Sequence, residues 1–417
     1  MASETDVIII GAGAAGLSAA KQLSSLGLSY SVIEGSHRIG GRAYSEEIAP
    51  GVWFDLGCAF LEGAETTFIP IADKLGITVG RDKGNPFEKA RVRYHRNSKT
   101  LNDDQRAACI QYLDDSYNAI YAAAERGRDV AVSDIVDLDN EYAAPLMAVI
   151  SSQWVHDLDQ VSCADVADSE GGASFRVLNG YGNLVAAWGA DVAVSFNTRA
   201  ERVDWTGPGV AVETPKGTIT GRTALITVST GILGSGDILF SPGLPDWKTD
   251  AIVNIPNGTE NKMCIYFDTD VFGADGRGCH STWNDDDIGN GARIEASVMG
   301  HNYAVAFVGG PHAVWLEKQG QQACHDFAVD SIANVFGHHI RKHVSRSIVT
   351  AWTTEPWTRG SYACARPGQA HQRATLARPI DERLFFAGEA TINGAQGTCH
   401  GAYLSGIRAA DVIAGIL

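Results

Sequence analysis

Hydrophobic and polar positions at the start of the chain predict a strand, a helix and a second strand. Residues 6–10 (Asp-Val-Ile-Ile-Ile) are a β-branched run typical of a strand buried on both faces of a parallel sheet. Residues 17–26 carry apolar side chains at helical spacing, and residues 29–33 predict the second strand. This order is typical of an α/β protein.

Later segments alternate with the period of strands. Residues 200–205, 209–214 and 218–228 predict short strands, with a hairpin turn at residues 215–217 (Pro-Lys-Gly). Residues 105–125 predict a long amphipathic helix. An antiparallel layer is therefore expected beside the α/β unit.

A glycine-rich turn separates the first strand from the first helix. Gly11, Gly13 and Gly16 fit G-x-G-x-x-G, with Ala15 in the same turn. The first glycine permits the turn, the second lets the backbone approach a pyrophosphate, and the third allows close packing of helix on strand. Glu34 ends the second strand, 18 residues after Gly16, where a carboxylate would hold a ribose hydroxyl. These residues predict a dinucleotide site.

Composition narrows the classes of function. The chain has 417 residues, which suggests two or three domains or two domains with interleaved segments. Its formal charge of −16 disfavours nucleic acid and anionic membranes as partners. Eight scattered cysteines without a C-x-x-C pair indicate reduced thiols and no metal site. A polar N-terminus without an export signal, and no apolar run of membrane-spanning length, predict a cytoplasmic protein.

The residues after Glu34 carry a family resemblance. Residues 38–42 read R-x-G-G-R, and the strand, glycine turn, glutamate and this block together resemble the N-terminus of the flavin-dependent amine oxidases. The resemblance implies FAD as the cofactor, with Gly41 in its phosphate loop and Arg42 contacting its phosphates. A guanidinium suits that role because it pairs with phosphate oxygens bidentately.

The C-terminal blocks resemble the other half of the same cofactor site. Residues 386–391 read F-A-G-E-A-T, and residues 397–406 read G-T-C-H-G-A-Y-L-S-G. The resemblance implies that Gly388 and Glu389 hold the ribityl and pyrophosphate side, and that Gly397 and Thr398 begin a helix aimed at the flavin. It also implies that the backbone of Val203 meets the adenine.

The resemblance extends over nearly the whole chain and implies a division into segments. A doubly wound FAD-binding domain with an antiparallel β-layer would comprise residues 1–78, 175–246 and 346–417. An α+β substrate domain would be formed by two insertions, residues 79–174 and 247–345.

Four residues are predicted to act on an amine substrate. Residues 261–267 resemble the family strand N-K-x-x-x-x-F, whose lysine, here Lys262, lies over flavin N5 through a water. Tyr362 resembles one wall of the family's aromatic cage, and Thr398 stands where monoamine oxidases have the other. Glu62 resembles the acidic residue of plant polyamine oxidases that would pair a distal ammonium.

Residues 352–363 resemble the W-x-x-x-P-W-x-x-G-S-Y block of polyamine oxidases and lysine-specific histone demethylases. Trp352 and Trp357 are therefore assigned to the cofactor site, although core packing is an equal alternative for Trp357. Ser361 stands where monoamine oxidases have the cysteine that bonds the flavin, so non-covalent FAD is expected.

The favoured hypothesis is a polyamine oxidase-like enzyme. It would transfer a hydride from a polyamine or secondary alkylamine to flavin N5 and reduce O2 to hydrogen peroxide. Three alternatives stay open: an oxidase of heterocyclic amines, an L-amino acid oxidase with Arg91, Arg93 or Arg293 in its cavity, and a flavin-bearing protein without turnover. A homodimer and an electron acceptor other than O2 are also open.

Overall fold

The structure is a computed structural model that describes residues 5–61, 67–80, 88–169 and 174–417. Glu62, predicted from the sequence to pair a distal ammonium, lies outside these described residues. The 12 helices and 19 strands named below belong to the described ranges.

The strands are β1 (Thr5–Ile10), β2 (Tyr30–Ile33), β3 (Ser45–Ala49), β4 (Val52–Asp55), β5 (Val79–Gly80), β6 (Arg93–Arg96), β7 (Lys99–Thr100), β8 (Arg176–Val177), β9 (Val194–Ser195), β10 (Arg202–Asp204), β11 (Val210–Thr214), β12 (Gly217–Ile226), β13 (Leu239–Ser241), β14 (Glu260–Phe267), β15 (Gly278–Trp283), β16 (Ala292–Ala296), β17 (Tyr303–Gly309), β18 (Val344–Val349) and β19 (Leu384–Phe386).

The helices are α1 (Ala14–Ser25), α2 (Phe68–Leu75), α3 (Asp103–Glu125), α4 (Ala143–Gln153), α5 (Cys163–Ala167), α6 (Tyr181–Gly189), α7 (Thr230–Ser235), α8 (Asp246–Asn254), α9 (Gly310–Gln319), α10 (Gln321–Phe336), α11 (Gln372–Ala377) and α12 (Cys399–Ile416).

The first sheet has the order β13-β10-β11-β12-β1-β2-β9, with β19 also paired to β12. Strands β12, β1, β2 and β9 are parallel neighbours, whereas β10, β11 and β12 are antiparallel. Val7, Ile8 and Ile9 of β1 are fully buried, as a run covered on both faces must be. The predicted α/β sheet with an antiparallel layer is confirmed.

Helices α1 and α12 pack against each other on this sheet. Their backbones approach closely because Gly406 has no side chain: a Cβ there would lie 2.1 Å from the carbonyl oxygen of Ala15. This contact holds the two ends of the chain together, so the N-terminal and C-terminal motifs meet.

The second sheet has the order β18-β14-β17-β16-β15-β6-β7. It is antiparallel except where β15 pairs with β6. Helices α9 and α10 pack on it over a core that includes Met263, Ile294 and Ile332. Helix α4 also contacts this sheet through β17. The second sheet and the helices packed on it have the α+β composition predicted for the substrate domain.

The two sheets draw strands from alternating parts of the chain. The first uses residues 5–33, 194–241 and 384–386, and the second uses residues 93–100, 260–309 and 344–349. This alternation parallels the five predicted segments, although the predicted boundary at residue 345 falls inside β18. The division into two domains stays a prediction.

Metal and membrane features are absent from the part of the chain that the structure describes. In those residues, no cluster of three or more His, Cys, Asp or Glu side chains is placed to hold a metal ion. Likewise, no helix in the described ranges has the length and apolar character needed to span a bilayer. The eight cysteines are free thiols.

Candidate active site

A cavity of about 1550 Å³ connects the glycine-rich turn with the second sheet. Gly11, Gly13 and Glu34 line it on one side, and Lys262 and Phe307 line it on the other. Small-molecule pockets usually measure about 300–1,000 Å³. The cavity therefore has room for a large cofactor together with a small substrate.

The glycine turn leaves backbone accessible at one end of the cavity. Gly11 has a φ of +111°, and a Cβ on Gly16 would lie 2.0 Å from the carbonyl oxygen of Gly11. A Cβ on Gly13, by contrast, would meet no atom nearer than 4.0 Å. Gly13 is the N-cap of α1 and supplies no side-chain hydrogen bond to the first turn of that helix. Gly13 and Ala15 line the cavity, so this helix N-terminus suits a pyrophosphate.

Glu34 lies at the carboxyl end of β2, where the sequence places it. Its carboxylate accepts hydrogen bonds from the backbone N–H groups of Ala12 and Ser36, each at 2.8 Å. The side chain is buried but lines the cavity. These bonds fix the carboxylate beside the glycine turn, where it could accept a hydrogen bond from a ribose hydroxyl.

Arg42 and Glu389 join segments that are far apart in sequence. Arg42 Nη1 donates to Glu389 Oε1 and to the carbonyl oxygen of Ser361, both at 2.8 Å. Glu389 also accepts from the N–H groups of Ala363 at 3.2 Å and Gly397 at 3.1 Å. All five residues line the cavity. The two halves of the predicted cofactor site thus meet.

The remaining predicted glycines also lie at this site. Gly41 has a φ of +58° and Gly388 a φ of +138°, so each backbone turns where a side chain would be strained. Both residues line the cavity.

Thr398 caps the N-terminus of α12 at the cavity wall. Its hydroxyl accepts a hydrogen bond from the N–H of Gly401 at 2.9 Å and donates to the carbonyl oxygen of Ala395 at 2.6 Å. The positive end of the helix dipole therefore faces the cavity. Such a terminus favours negative charge, which is the charge that develops on a reduced flavin.

The two predicted tryptophans occupy different environments at the cavity. Trp352 is buried, at 7% exposure, whereas Trp357 is 40% exposed. The Trp357 ring covers Gly35 so closely that a Cβ there would lie 2.6 Å from it. Trp357 is therefore a wall residue and the core alternative is wrong.

The predicted contact of Val203 with adenine needs correction. Val203 is fully buried in β10, where it pairs with Val212 on β11 and Phe240 on β13. Its backbone is part of the sheet, and the cavity is lined instead by the preceding residues 199–201. Val203 therefore does not line the cavity, and residues 199–201 are the nearby part of the chain that does.

Lys262 extends from β14 into the cavity wall. Its Nζ donates to the backbone carbonyl oxygens of Asp55, at 3.4 Å, and Gly57. The side chain is 7% exposed, and this burial lowers the pKa of Lys262, while nearby Glu260 and Asp55 partly oppose the change. Lys262 therefore places an amino group at the cavity wall, and its two carbonyl acceptors favour the ammonium form against the effect of burial.

Tyr362 lies where the cavity reaches the second sheet. Its hydroxyl donates to the carbonyl oxygen of Ser152 at 2.6 Å. A Cβ on Gly397 would lie 3.3 Å from the Tyr362 ring, so the ring covers that glycine. Burial raises the pKa of Tyr362 well above its ordinary value, which keeps the phenol neutral.

Aromatic and charged side chains complete a chamber beside Tyr362. The chamber residues are Phe60, Tyr117, Tyr121, Gln153, Trp154, Glu260, Arg293 and Phe307. Gln153 and Trp154, at the end of α4, belong to its wall. The chamber is thus largely aromatic, with Glu260 as its acidic group and Arg293 and Lys262 as its basic groups.

Sequence reasoning missed Glu260. The family strand motif begins at Asn261, whereas β14 begins one residue earlier, at Glu260. Side chains at positions i and i+2 of a strand share a face, so Glu260 lies on the same side as Lys262. Starting the strand one residue earlier would have identified it.

The described residues fit FAD. The α1 N-terminus and Arg42 would hold the pyrophosphate, Glu34 the ribose, and the α12 N-terminus with Lys262 the flavin. The open Gly13 backbone and the size of the cavity are the observations that support this fit.

Comparisons with known proteins agree with this geometry. The sequence model described as "Flavin containing amine oxidoreductase" matches residues 14–162 and 162–414. Polyamine oxidase 4 of Oryza sativa subsp. japonica is 27% identical over 98% of this chain and 88% of its own. Cyclohexylamine oxidase from Brevibacterium oxydans IH-35A has the same fold, with a TM-score of 0.82 and 21% identity over 99% of both chains. Wild-type putrescine oxidase bound to putrescine gives 0.79 and 19%, also over 99% of both chains.

Proposed function

The chain belongs to the flavin containing amine oxidoreductase family, is a flavoenzyme with FAD as its cofactor, and on that premise we propose that it oxidises a C–N bond of a polyamine or another secondary alkylamine. The observation that carries this proposal is the chamber in which Lys262, Tyr362 and Glu260 meet at the end of the dinucleotide cleft. Relatives that act on polyamines and putrescine support the substrate class.

The residues of the chamber have distinct tasks in this proposal. The aromatic walls exclude water and orient the carbon chain, and Tyr362 presents its ring to the amine. Lys262 supplies positive charge where electrons accumulate. FAD, when bound, supplies the hydride acceptor and passes the electrons to O2, giving hydrogen peroxide. The imine product then hydrolyses to a carbonyl compound and an amine.

We further propose that FAD is held without a covalent bond. The serine at position 361 has its hydroxyl engaged: it accepts from the N–H of Glu260 at 2.8 Å and donates to the carbonyl oxygen of Gly258 at 3.2 Å. Cys364 is fully buried and is not among the cavity-lining residues. Acid precipitation should release all the flavin into the supernatant, and flavin retained in the pellet would contradict the proposal.

The substrate class is tested by anaerobic mixing of the holoenzyme with candidate amines. Spermidine, putrescine, cyclohexylamine, a benzylic amine, a nicotine-like amine and several L-amino acids are compared by the loss of oxidised-flavin absorbance, and air is then admitted. Bleaching by the polyamines with recovery in air is the expected result. Bleaching only by another class moves the assignment to that class, and no bleaching overturns the proposal.

Arg293 favours a second candidate, an oxidase of amines that carry a carboxylate. It is 5% exposed, lines the chamber and donates to Ser152 Oγ at 2.6 Å. The other two arginines that the sequence offers for a carboxylate do not line the cavity: Arg91 pairs with Glu88, and Arg93 donates to the carbonyl oxygen of Arg277. If L-amino acids bleach the flavin and Arg293→Met abolishes only that reaction, this candidate is correct.

A further inference from the structure

Glu260 has chemistry that hydride transfer alone does not use. An alkylamine enters a site at neutral pH as an ammonium ion, but only the neutral amine can release a hydride. We propose that Glu260, paired with Tyr362, accepts the proton of the substrate ammonium in the chamber. This inference rests on the proposed function, and it adds a proton-accepting residue to it.

The strand places Glu260 within reach of an amine held near Lys262. The two side chains leave the same face of β14 about 7 Å apart along the strand, and both line the cavity. The Glu260 N–H donates to Ser361 Oγ at 2.8 Å, which ties this end of β14 to the cofactor side. An amine nitrogen between the two side chains would contact the carboxylate directly.

The hydrogen bonds of Tyr362 can satisfy both protonation states of Glu260. Tyr362 has one hydroxyl proton and two acceptors, the Ser152 carbonyl oxygen at 2.6 Å and the carboxylate of Glu260. When Glu260 is ionised, Tyr362 can donate to it. When Glu260 is protonated, Glu260 donates to the Tyr362 oxygen and Tyr362 donates to Ser152. Glu260 therefore keeps Tyr362 as a hydrogen-bond partner in both charge states, and its protonation frees the Tyr362 proton for the Ser152 carbonyl oxygen.

The charges around Glu260 oppose one another. Burial raises the pKa of Glu260, whereas Lys262 on the same strand, Arg293 from β16 and the Tyr362 hydroxyl lower it, and the net direction is upward. This shift moves the pKa of the Glu260 carboxyl toward neutral pH. A general base is most effective when its pKa lies near the pH at which the enzyme works. Geometry and electrostatics agree on the same role.

The proton transfer is balanced. The ammonium N–H bond breaks and its electron pair stays on nitrogen, while the proton forms an O–H bond with the Glu260 carboxylate. The products are a neutral amine and a carboxylic acid, with no change of oxidation state. The acid returns its proton to solvent before the next turnover.

A structural role would look different. If Glu260 only balanced the charges of Lys262 and Arg293, its loss would alter stability or affinity equally at every pH. A proton acceptor is needed only while the substrate is protonated, so its loss must matter less as the pH approaches the pKa of the amine. The pH profile separates the two roles.

The first test uses tert-butylamine, which has no hydrogen on its α-carbon and so leaves the flavin oxidised. Difference infrared spectra of the holoenzyme should show the C=O stretch of a protonated carboxyl when this amine binds. The band should be missing in Glu260→Gln and present in the exposed control Glu213→Gln. Binding without that band in the wild-type enzyme would overturn the inference.

The second test measures anaerobic flavin reduction across pH with putrescine, spermidine and cyclohexylamine. Glu260→Gln should slow reduction about 10²-fold near neutral pH, and the deficit should shrink at alkaline pH. Tyr362→Phe removes a hydrogen bond that lowers the pKa of Glu260. The acidic limb of the pH profile of the reduction rate should therefore move to higher pH. This second variant tests the inference even if Glu260→Gln fails to fold.

The outcomes distinguish this inference from the proposed function. If no amine reduces the wild-type flavin, the proposed function fails. Suppose instead that the wild-type flavin is reduced, and that Glu260→Gln slows its reduction by the same factor at every pH or not at all. Glu260 is then not the proton acceptor, and the proposed function stands.

Discussion

At the scale of single residues, Lys262 illustrates how burial turns an ordinary strand lysine into a functional one. Alternation along β14 predicts only that its side chain leaves one face of the sheet. The structure adds that this face lines the cavity and that backbone carbonyls of Asp55 and Gly57 hold the ammonium. Tertiary packing, and not the alternation of the strand, therefore gives this lysine its place at the cavity.

Replacing this charge should change the reactivity of the flavin more than its binding. Lys262→Met retains an unbranched apolar stem but removes the cation, so reoxidation of photoreduced flavin by O2 should slow by about 10²-fold. Stopped-flow mixing with oxygen measures this without any substrate. The exposed Lys99→Met serves as the control, and unchanged reoxidation in Lys262→Met would show that the cation does not act on the flavin.

At the scale of elements, the two helix N-termini at the cavity are capped in different ways. The α1 N-terminus has a glycine N-cap without a side-chain bond, whereas the α12 N-terminus is capped by Thr398. The sequence motifs predict both helix starts, because glycine and threonine are common in these positions. What they do not predict is the distance between the helices, which depends on the close approach at Gly406.

Removal of the Thr398 cap should destabilise α12. Thr398→Ala leaves the Gly401 N–H without its acceptor and should cost about 1 kcal/mol. Thr398→Ser keeps the hydroxyl and should behave like the wild-type protein. The thermal unfolding midpoint of the holoenzyme measures both variants, and equal midpoints for alanine and serine would show that the cap contributes nothing.

A pair of buried histidines connects β6 with β15 in the second sheet. His280 Nε2 lies 2.9 Å from the carbonyl oxygen of Gly276 and must donate to it, so its Nδ1 accepts from His95 Nε2 at 3.0 Å. Thr100 Oγ1 lies 3.2 Å from His95 Nδ1 and donates to it. This network is complete only with both rings neutral. Burial lowers the pKa of each histidine to about 4.

Stability should therefore fall on mild acidification. The unfolded chain binds protons near pH 6.5 and the folded pair only near pH 4, so stability is full above pH 6.5 and is lost as the pH falls between these values. The loss is about 2 kcal/mol per histidine between pH 7 and 5. His95→Gln should reduce the fall in unfolding midpoint, whereas the exposed His339→Gln should not. Parallel curves for wild type and His95→Gln would refute this assignment.

At the scale of the whole molecule, the sequence predicts the order of the elements better than their contacts. The glycine turn, R-x-G-G-R block and C-terminal blocks are local, and the cavity brings all of them together. Val203 does not line the cavity, and recognition of adenine by backbone would leave no side-chain signal in a sequence. Glu260 and Arg293 lie on strands of the second sheet, and α3 and α4 bring further side chains to the same chamber, a packing of distant segments that no single motif encodes.

This architecture makes the cofactor a structural element of the protein. The cavity is lined by the turn after β1, the segment after β12 and the C-terminal blocks, so FAD would contact chain segments separated by nearly the whole sequence. A ligand that binds only the folded state stabilises it by about 2.7 kcal/mol at 100 times its dissociation constant. Removal of FAD should therefore lower the unfolding midpoint, and added FAD should restore it in a concentration-dependent way. In one thermal scan of the holoenzyme, flavin release and the change in tryptophan fluorescence should coincide. Flavin release well below the tryptophan transition would mean that the cavity persists without its cofactor.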